Sequence, residues 1–144
     1  MQTGHTPTVR RAVATDRAGL AALLSDMQAH YGSPDPPGWA AEMARLLTRP
    51  GEHLPFVLFG GAFQWMLFLK DLYVTAAARS LGVGRTLLAA AACTALEEDN
   101  CRIDWTTDAT NEGAQRLYDR LGVPRHDKRF YRLVGEDLRK FAQA

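Results

Sequence analysis

Cysteine, net charge and long apolar runs are all scarce in this sequence, and each shortage excludes a class of protein. The 144 residues include two cysteines, with neither a Cys-x-x-Cys pair nor the histidine spacing of a zinc site. This excludes disulfide scaffolds and zinc modules, and no metal is expected. A formal net charge of +1 excludes a chain-wide preference for nucleic acid or anionic membranes. No segment approaches the roughly 20 apolar residues that a membrane span requires.

What is present is typical of a globular domain. Hydrophobic residues make up 47% and charged residues 23%, so the chain can bury a core, and its length suits one domain over residues 1–144. The N-terminal residues contain no apolar stretch of signal-peptide length, which predicts a reducing, cytoplasmic setting. Cys93 falls in an alanine-rich apolar stretch and is predicted to be a buried, inert thiol.

Apolar periodicity and turn residues predict alternating helices and strands. Helices are expected over residues 16–30 (with Thr15 as N-cap), 39–47, 84–99, 112–121 and 136–144. Strands are expected over residues 8–13, 63–75, 102–107 and 129–134, and residues 55–59 form a short apolar run. The alternation in the second half favours an α/β sheet with at least one parallel pair.

The sequence Arg-Ser-Leu-Gly-Val-Gly-Arg-Thr, residues 79–86, is here called the glycine turn. Gly82 and Gly84 allow positive φ or a close approach of a ligand to the backbone. The N–H groups of residues 83–86 open a helix, where they lack intrahelical partners beside the positive end of the helix dipole. Together with two arginines, they favour a pyrophosphate site. The alternative is a plain helix start with solvated arginines. The spacing excludes both G-x-G-x-x-G and a P-loop.

Two segments resemble motifs of the GNAT superfamily of acyl-CoA N-acyltransferases. Leu72-Tyr73-Val74, then Arg79-x-x-Gly82-x-Gly84 and an apolar helix, resemble motif A. Asn111, followed by Ala114, Leu117-Tyr118 and Leu121-Gly122, is similar to motif B. The resemblance covers residues 67–133. It implies an α/β fold (α+β type) with a mixed central sheet flanked by helices, in which two splayed parallel strands form a cleft for acetyl-CoA.

The same resemblance implies how acetyl-CoA binds. Backbone groups of residues 72–74 would bond the pantetheine arm, and one N–H would polarise the thioester carbonyl. The amides of the glycine turn would hold the pyrophosphate. Arg79 would support the turn, and Asn111 would touch the end of the pantetheine. The implied cofactor-binding residues are Leu72, Tyr73, Val74, Arg79, Gly82, Val83, Gly84, Arg85, Thr86, Asn111 and Tyr118.

Direct attack by an amine needs a neutral nucleophile and a proton for the leaving thiol. An alkylamine has a pKa near ~10, so it must lose a proton on binding. Tyr118 is the candidate acid for the CoA sulfur, because it follows Asn111 by about two helical turns. Its alternative role is packing. Asp71 is the candidate base, although it could equally be a surface carboxylate or be replaced by a water relay. Glu112 and Asp104 are weaker candidates.

The acceptor is indicated by resemblance to the branch that acetylates polyamines and other small amines. Asp104-Trp105 and the ending Phe130-Tyr131-Arg132-Leu133 resemble that branch, but Lys70 replaces its glutamate. His30, Tyr31 and Asp35 lie where acceptors usually approach, and residues 125–129 form a basic stretch. Each of these has an ordinary surface role as its alternative.

The sequence therefore predicts an N-acetyltransferase that moves acetyl from acetyl-CoA to a primary amine of a small molecule. A homodimer is a further implication of the resemblance. The alternatives are a non-catalytic acyl-CoA-binding module and an enzyme that acetylates protein N-termini or lysines. One departure concerns residues 59–63, where a hairpin's worth of residues is absent relative to the family. Either a strand of the N-terminal half has been lost, or the sequence omits a segment.

Overall fold

The computed structural model describes residues 8–32, 36–50, 56–58, 64–98 and 102–143. These residues form two compact units, one ending at Thr106 and one beginning at Thr107. The helices are α1 (Arg17–Tyr31), α2 (Trp39–Leu47), α3 (Val83–Glu97), α4 (Glu112–Arg120) and α5 (Gly135–Ala142). The strands are β1 (Phe56–Leu58), β2 (Gln64–Phe68) and β3 (Ile103–Asp104). A single domain over residues 1–144 stays a prediction.

The chain before α1 is not the strand predicted over residues 8–13. Arg10 donates to the Asp16 carboxylate at 2.6 Å and 2.9 Å, and the Val13 N–H donates to Asp16 Oδ2 at 2.8 Å. Asp16, not Thr15, is therefore the N-cap residue of α1, although its side chain makes no cap hydrogen bond to the helix, and Thr15 lies in the 3-10 turn Ala14–Asp16. Residues 8–13 have the composition of a strand but form none, because the Asp16 carboxylate accepts the Val13 N–H that a strand ladder would use.

Helices α1 and α2 pack against each other in the first unit. Met27 of α1 is 8% exposed and Ala44 of α2 is fully buried. Arg17 Nε donates to Thr48 Oγ1 at 2.8 Å, and this hydroxyl donates to the Ala44 carbonyl at 2.8 Å. Thr48 is only 5% exposed, so its hydroxyl is buried with both partners in place.

The sheet has the order β1-β2-β3 in the described residues. β1 and β2 are antiparallel, with Phe56 opposite Met66. β2 and β3 are parallel, with Leu67 opposite Ile103, which confirms the predicted parallel pair. β2 and β3 are much shorter than the predicted ranges 63–75 and 102–107. Their pairing stops at Phe68 and Asp104, because an apolar sequence forms a strand only where a neighbouring strand supplies hydrogen-bond partners. The predicted loss of a strand at residues 59–63 lies outside the described residues.

Two further predictions are wrong. Residues 129–134 form no strand; Tyr131, for example, is 87% exposed and has no ladder partner in the part of the chain that the structure describes. Cys93 is exposed, not buried, because α3 turns Ala95 (4% exposed) to the interior. Residues two apart on a helix point about 200° from each other, so one of them faces outward. Within the described residues, no helix is both long and apolar enough to cross a membrane.

Candidate active site

The first component of the site is the chain that continues from β2. Leu67 N–H donates to the Arg102 carbonyl at 3.0 Å, and Leu69 N–H donates to the Asp104 carbonyl at 2.9 Å. Those are the last rungs of the parallel ladder. Among the described residues, no backbone–backbone hydrogen bond involves residues 70–74. Within the described residues, the N–H groups of Leu72 to Val74 therefore have no backbone acceptor.

The side chain of Tyr73 contacts α1. Its hydroxyl donates to Asp26 Oδ2 at 2.7 Å, and its ring centroid lies 5.7 Å from that of His30. The pKa of Tyr73 is raised above its usual value, chiefly by the hydrogen bond to Asp26 and then by burial. Sequence reasoning missed Asp26, because its partner lies 47 residues along the chain and no local pattern indicates the contact.

The glycine turn supplies the second component. Gly82 has φ +81° as the N-cap of α3, and Ser80 has φ +64°. Both lie in the left-handed region, which glycine adopts without the Cβ penalty. The N–H groups of residues 82–85 donate no backbone hydrogen bond within the described chain. Four donors thus open at the positive end of the α3 dipole.

One detail of the predicted donor set is wrong. The Thr86 N–H donates to the Gly82 carbonyl at 3.0 Å, and the Thr86 hydroxyl donates to the same carbonyl at 3.1 Å. Thr86 is the fourth helical residue, so its N–H closes the first turn of α3 rather than pointing outward. The free set begins one residue earlier, at Gly82.

Arg79 connects the two components. Its Nε donates to the Val74 carbonyl at 3.1 Å, and its guanidinium carbon lies 6.0 Å from the centroid of the Tyr73 ring. Arg79 and Arg85 are both exposed. Arg79, which belongs to the glycine turn, therefore links that turn to residues 73 and 74.

Helix α4 carries the motif-B residues in the second unit. The Asn111 side-chain oxygen accepts the Ala114 N–H at 3.1 Å, which confirms Asn111 as the N-cap. This leaves its amide NH₂ as a donor for other groups. Gly122, with φ +71°, ends the helix as predicted. Tyr118 is half-buried and lies about two turns beyond Asn111, on the same side of the helix.

Each candidate carboxylate lies next to a cation. Asp71 Oδ2 is 3.6 Å from Lys70 Nζ, and the Asp71 side chain is 47% exposed. Asp104 is 3.4 Å from Arg102, and Glu112 is 2.9 Å from Arg116. Histidine, cysteine and carboxylate side chains form no potential metal cluster in the described residues.

Comparison with known proteins shows the family to which the chain belongs. Residues 43–123, more than half of the chain, match the acetyltransferase (GNAT) family. The chain therefore belongs to the GNAT acetyltransferase family. No curated protein sequence matches it significantly.

Solved structures share the fold. An integron cassette protein from V. cholerae is 23% identical, with a TM-score of 0.67 over 94% of this chain and 96% of its own. A transcriptional regulator from Bacillus halodurans C-125 is 18% identical, with a TM-score of 0.69 over 88% and 99%. An aminoglycoside acetyltransferase from an uncultured soil metagenomic sample, in complex with sisomicin, is 14% identical, with a TM-score of 0.65 over 89% and 96%. At these identities the likeness shows the fold alone, which confirms the predicted GNAT-type α/β class.

Proposed function

We propose that this protein transfers an acetyl group from acetyl-CoA to a primary amine of a small molecule. The observation that carries the proposal is the link through Arg79 between residues 70–74 and the N-terminus of α3, both without backbone hydrogen bonds at their N–H groups in the described chain. The first suits the amide groups of a pantetheine arm, and the second suits a pyrophosphate. Family membership supports the same interpretation.

Each end of acetyl-CoA has proposed partners. Leu72, Tyr73 and Val74 bond the pantetheine through their backbone, and one N–H polarises the thioester carbonyl. Gly82, Val83, Gly84 and Arg85 hold the pyrophosphate through free N–H groups, with positive charge from Arg79 and Arg85. Thr86 contributes by closing the turn, because its own N–H is already bonded. Asn111 donates its amide to the end of the pantetheine arm.

The proposed reaction is a direct attack. The neutral amine nitrogen forms a bond to the thioester carbon, and the carbon–sulfur bond breaks. Tyr118 gives its proton to the departing CoA sulfur, and the former amine loses a proton to Asp71 or to water. The tyrosine then recovers a proton from solvent. Binding orients both reactants, which removes much of the entropic barrier.

Small amines are the proposed acceptors, as in the polyamine branch that the sequence resembles. The aminoglycoside acetyltransferase of the same fold was solved with sisomicin, so an aminoglycoside belongs in the test panel with polyamines and lysine analogues. A cytoplasmic location and a homodimer complete the proposal.

A panel assay tests this function. Release of free CoA thiol from acetyl-CoA is measured with each amine, and binding of acetyl-CoA is measured separately by calorimetry. Turnover with any small amine supports the enzyme. Turnover with peptide lysines or N-termini alone would assign a protein acetyltransferase instead.

The second candidate is a non-catalytic acyl-CoA-binding module. The observation favouring it is Lys70, which stands where the polyamine branch has a glutamate and lies 3.6 Å from the candidate base Asp71. Tight binding of acetyl-CoA without turnover on any amine would establish the module. Absence of binding would exclude both candidates.

A further inference from the structure

Side-chain contacts hold residues 70–74, where the backbone ladder has already ended. Two hydrogen bonds reach this segment in the described chain: Tyr73 to Asp26 at 2.7 Å and Arg79 to the Val74 carbonyl at 3.1 Å. An extended segment without ladder bonds has more than one accessible orientation. Contacts at consecutive residues therefore determine where its N–H groups point.

The Asp26 contact comes from a well-anchored helix. Met27, the next residue, is buried, and Arg17 at the start of α1 bonds the buried Thr48 hydroxyl at 2.8 Å. One turn beyond Asp26, His30 contacts the same Tyr73 ring. Helix α1 thus presents a fixed carboxylate to a segment for which the described residues provide no strand partner.

We propose that Asp26 is a positioning residue, which fixes the backbone of Leu72 to Val74 for acyl-CoA through the Tyr73 hydroxyl. The inference rests on the proposed function, since the orientation of this segment matters because a thioester binds it. In this role Asp26 acts through the Tyr73 hydroxyl, from which it accepts a hydrogen bond at 2.7 Å, and needs no contact with the thioester or the amine. Its effect is therefore on the affinity for acetyl-CoA and not on that for the acceptor.

The Asp26–Tyr73 bond has a signature that does not depend on any ligand. Because the carboxylate raises the pKa of Tyr73, the phenol keeps its proton and continues to donate when an amine acceptor is partly neutral. Removing the carboxylate should shift one tyrosine titration to lower pH. Ultraviolet absorbance of tyrosinate measures that shift, and Tyr73→Phe identifies which titration belongs to Tyr73.

The test compares Asp26→Ala, Asp26→Asn, Tyr73→Phe and the double variant Asp26→Ala/Tyr73→Phe. We expect Asp26→Ala and Tyr73→Phe each to raise the Kd for acetyl-CoA about fivefold, the effect typical of one hydrogen bond. Asp26→Asn should weaken the binding of acetyl-CoA less, because its amide oxygen can still accept the hydrogen bond from the Tyr73 hydroxyl. The double variant should bind acetyl-CoA no more weakly than either single variant. Glu42→Gln on α2 is the control, since it removes an exposed helix carboxylate with no link to this segment.

Three results would overturn the inference. A raised KM for the amine with an unchanged Kd for acetyl-CoA would make Asp26 an acceptor-binding residue. A lower melting temperature with unchanged affinity would make the bond merely structural. An unchanged tyrosine titration in Asp26→Ala would remove the link itself. Failure of the wild-type protein to bind acetyl-CoA would instead reject the proposed function, and this inference with it, whatever the titration shows.

Discussion

Helices α3 and α4 begin in opposite ways, although both carry predicted cofactor residues. α4 is closed by its own sequence: Asn111 accepts the Ala114 N–H, and Glu112 places negative charge in the first turn. α3 begins at Gly82 without a side-chain cap and with no acidic residue in its first turn. Arg85 there has the sign that the helix dipole disfavours.

The difference indicates which helix end is built for an anion. A capped N-terminus with an acidic first turn has satisfied one of its free donors and has a negative charge beside the positive end of its dipole. An uncapped one flanked by cations gains most from a phosphate. We therefore propose that α3 binds the anion, and that α4 supplies the proton donor Tyr118 and the amide of Asn111.

The largest expected effect tests the catalytic role proposed for Tyr118 of α4. Tyr118→Phe should lower kcat roughly 100-fold, since general acid catalysis contributes about 10²- to 10⁴-fold, while KM for acetyl-CoA changes little. Steady-state kinetics over a range of pH measures this. Tyr131→Phe, an exposed tyrosine of the same unit, is the control. A kcat that stays at the wild-type value at every pH would remove Tyr118 as the acid.

The next effect tests the open end of α3. Gly82→Asp places a negative charge where the pyrophosphate is expected and should raise the Kd for acetyl-CoA tenfold or more, about 1.4 kcal/mol. Gly122→Asp is a matched control, because both glycines have positive φ and a Cβ added at either one would have no other atom within 4 Å. Equal losses of affinity in the two variants would attribute the effect to backbone strain rather than to charge.

A smaller effect separates the two roles of Asn111. Asn111→Ala should destabilise the protein by about 1 kcal/mol, because the α4 cap is lost, whereas Asn111→Asp keeps an acceptor for the Ala114 N–H. Denaturant unfolding measures the stability of both. The aspartate variant should still bind acetyl-CoA more weakly, because it has no amide donor. Full affinity in that variant would leave Asn111 with a capping role alone.

The smallest effect concerns local charge. Arg85→Gln should raise the Kd for acetyl-CoA about threefold at low ionic strength, and the difference should shrink as salt is added. Calorimetric titrations at two salt concentrations measure it. Arg45→Gln on α2 is the control. It removes a cation that already pairs with Glu42, and the Kd for acetyl-CoA should stay unchanged. A salt-independent loss would indicate a packing role for Arg85.

Helices were predicted better than strands, for a physical reason. The bounds of α2 match the prediction of residues 39–47, and the cap at Asn111 and the αL residue Gly122 were both expected. Such signals are local, since a cap needs partners only a few residues away. The strands predicted over residues 8–13 and 129–134 failed because a ladder requires a distant partner that the pattern does not specify.

The candidate site shows the same difference between features that are local in the chain and contacts between distant residues. Motif spacing located the glycine turn and residues 72–74, because those features are consecutive in the chain. It could not identify Asp26, whose relation to Tyr73 exists only after α1 has packed. Nor could it place Cys93, since an alanine-rich helix carries too weak an amphipathic signal to say which side faces the interior.

The uncapped start of α3 has a thermodynamic consequence. If acetyl-CoA occupies those donors, the ligand completes a helix that the chain leaves unfinished, and part of the stability of the fold then depends on ligand concentration. A ligand at 100 times its Kd contributes about 2.7 kcal/mol to the free energy of unfolding. The melting temperature of the protein would then report on the supply of acyl-CoA, without any acceptor being known.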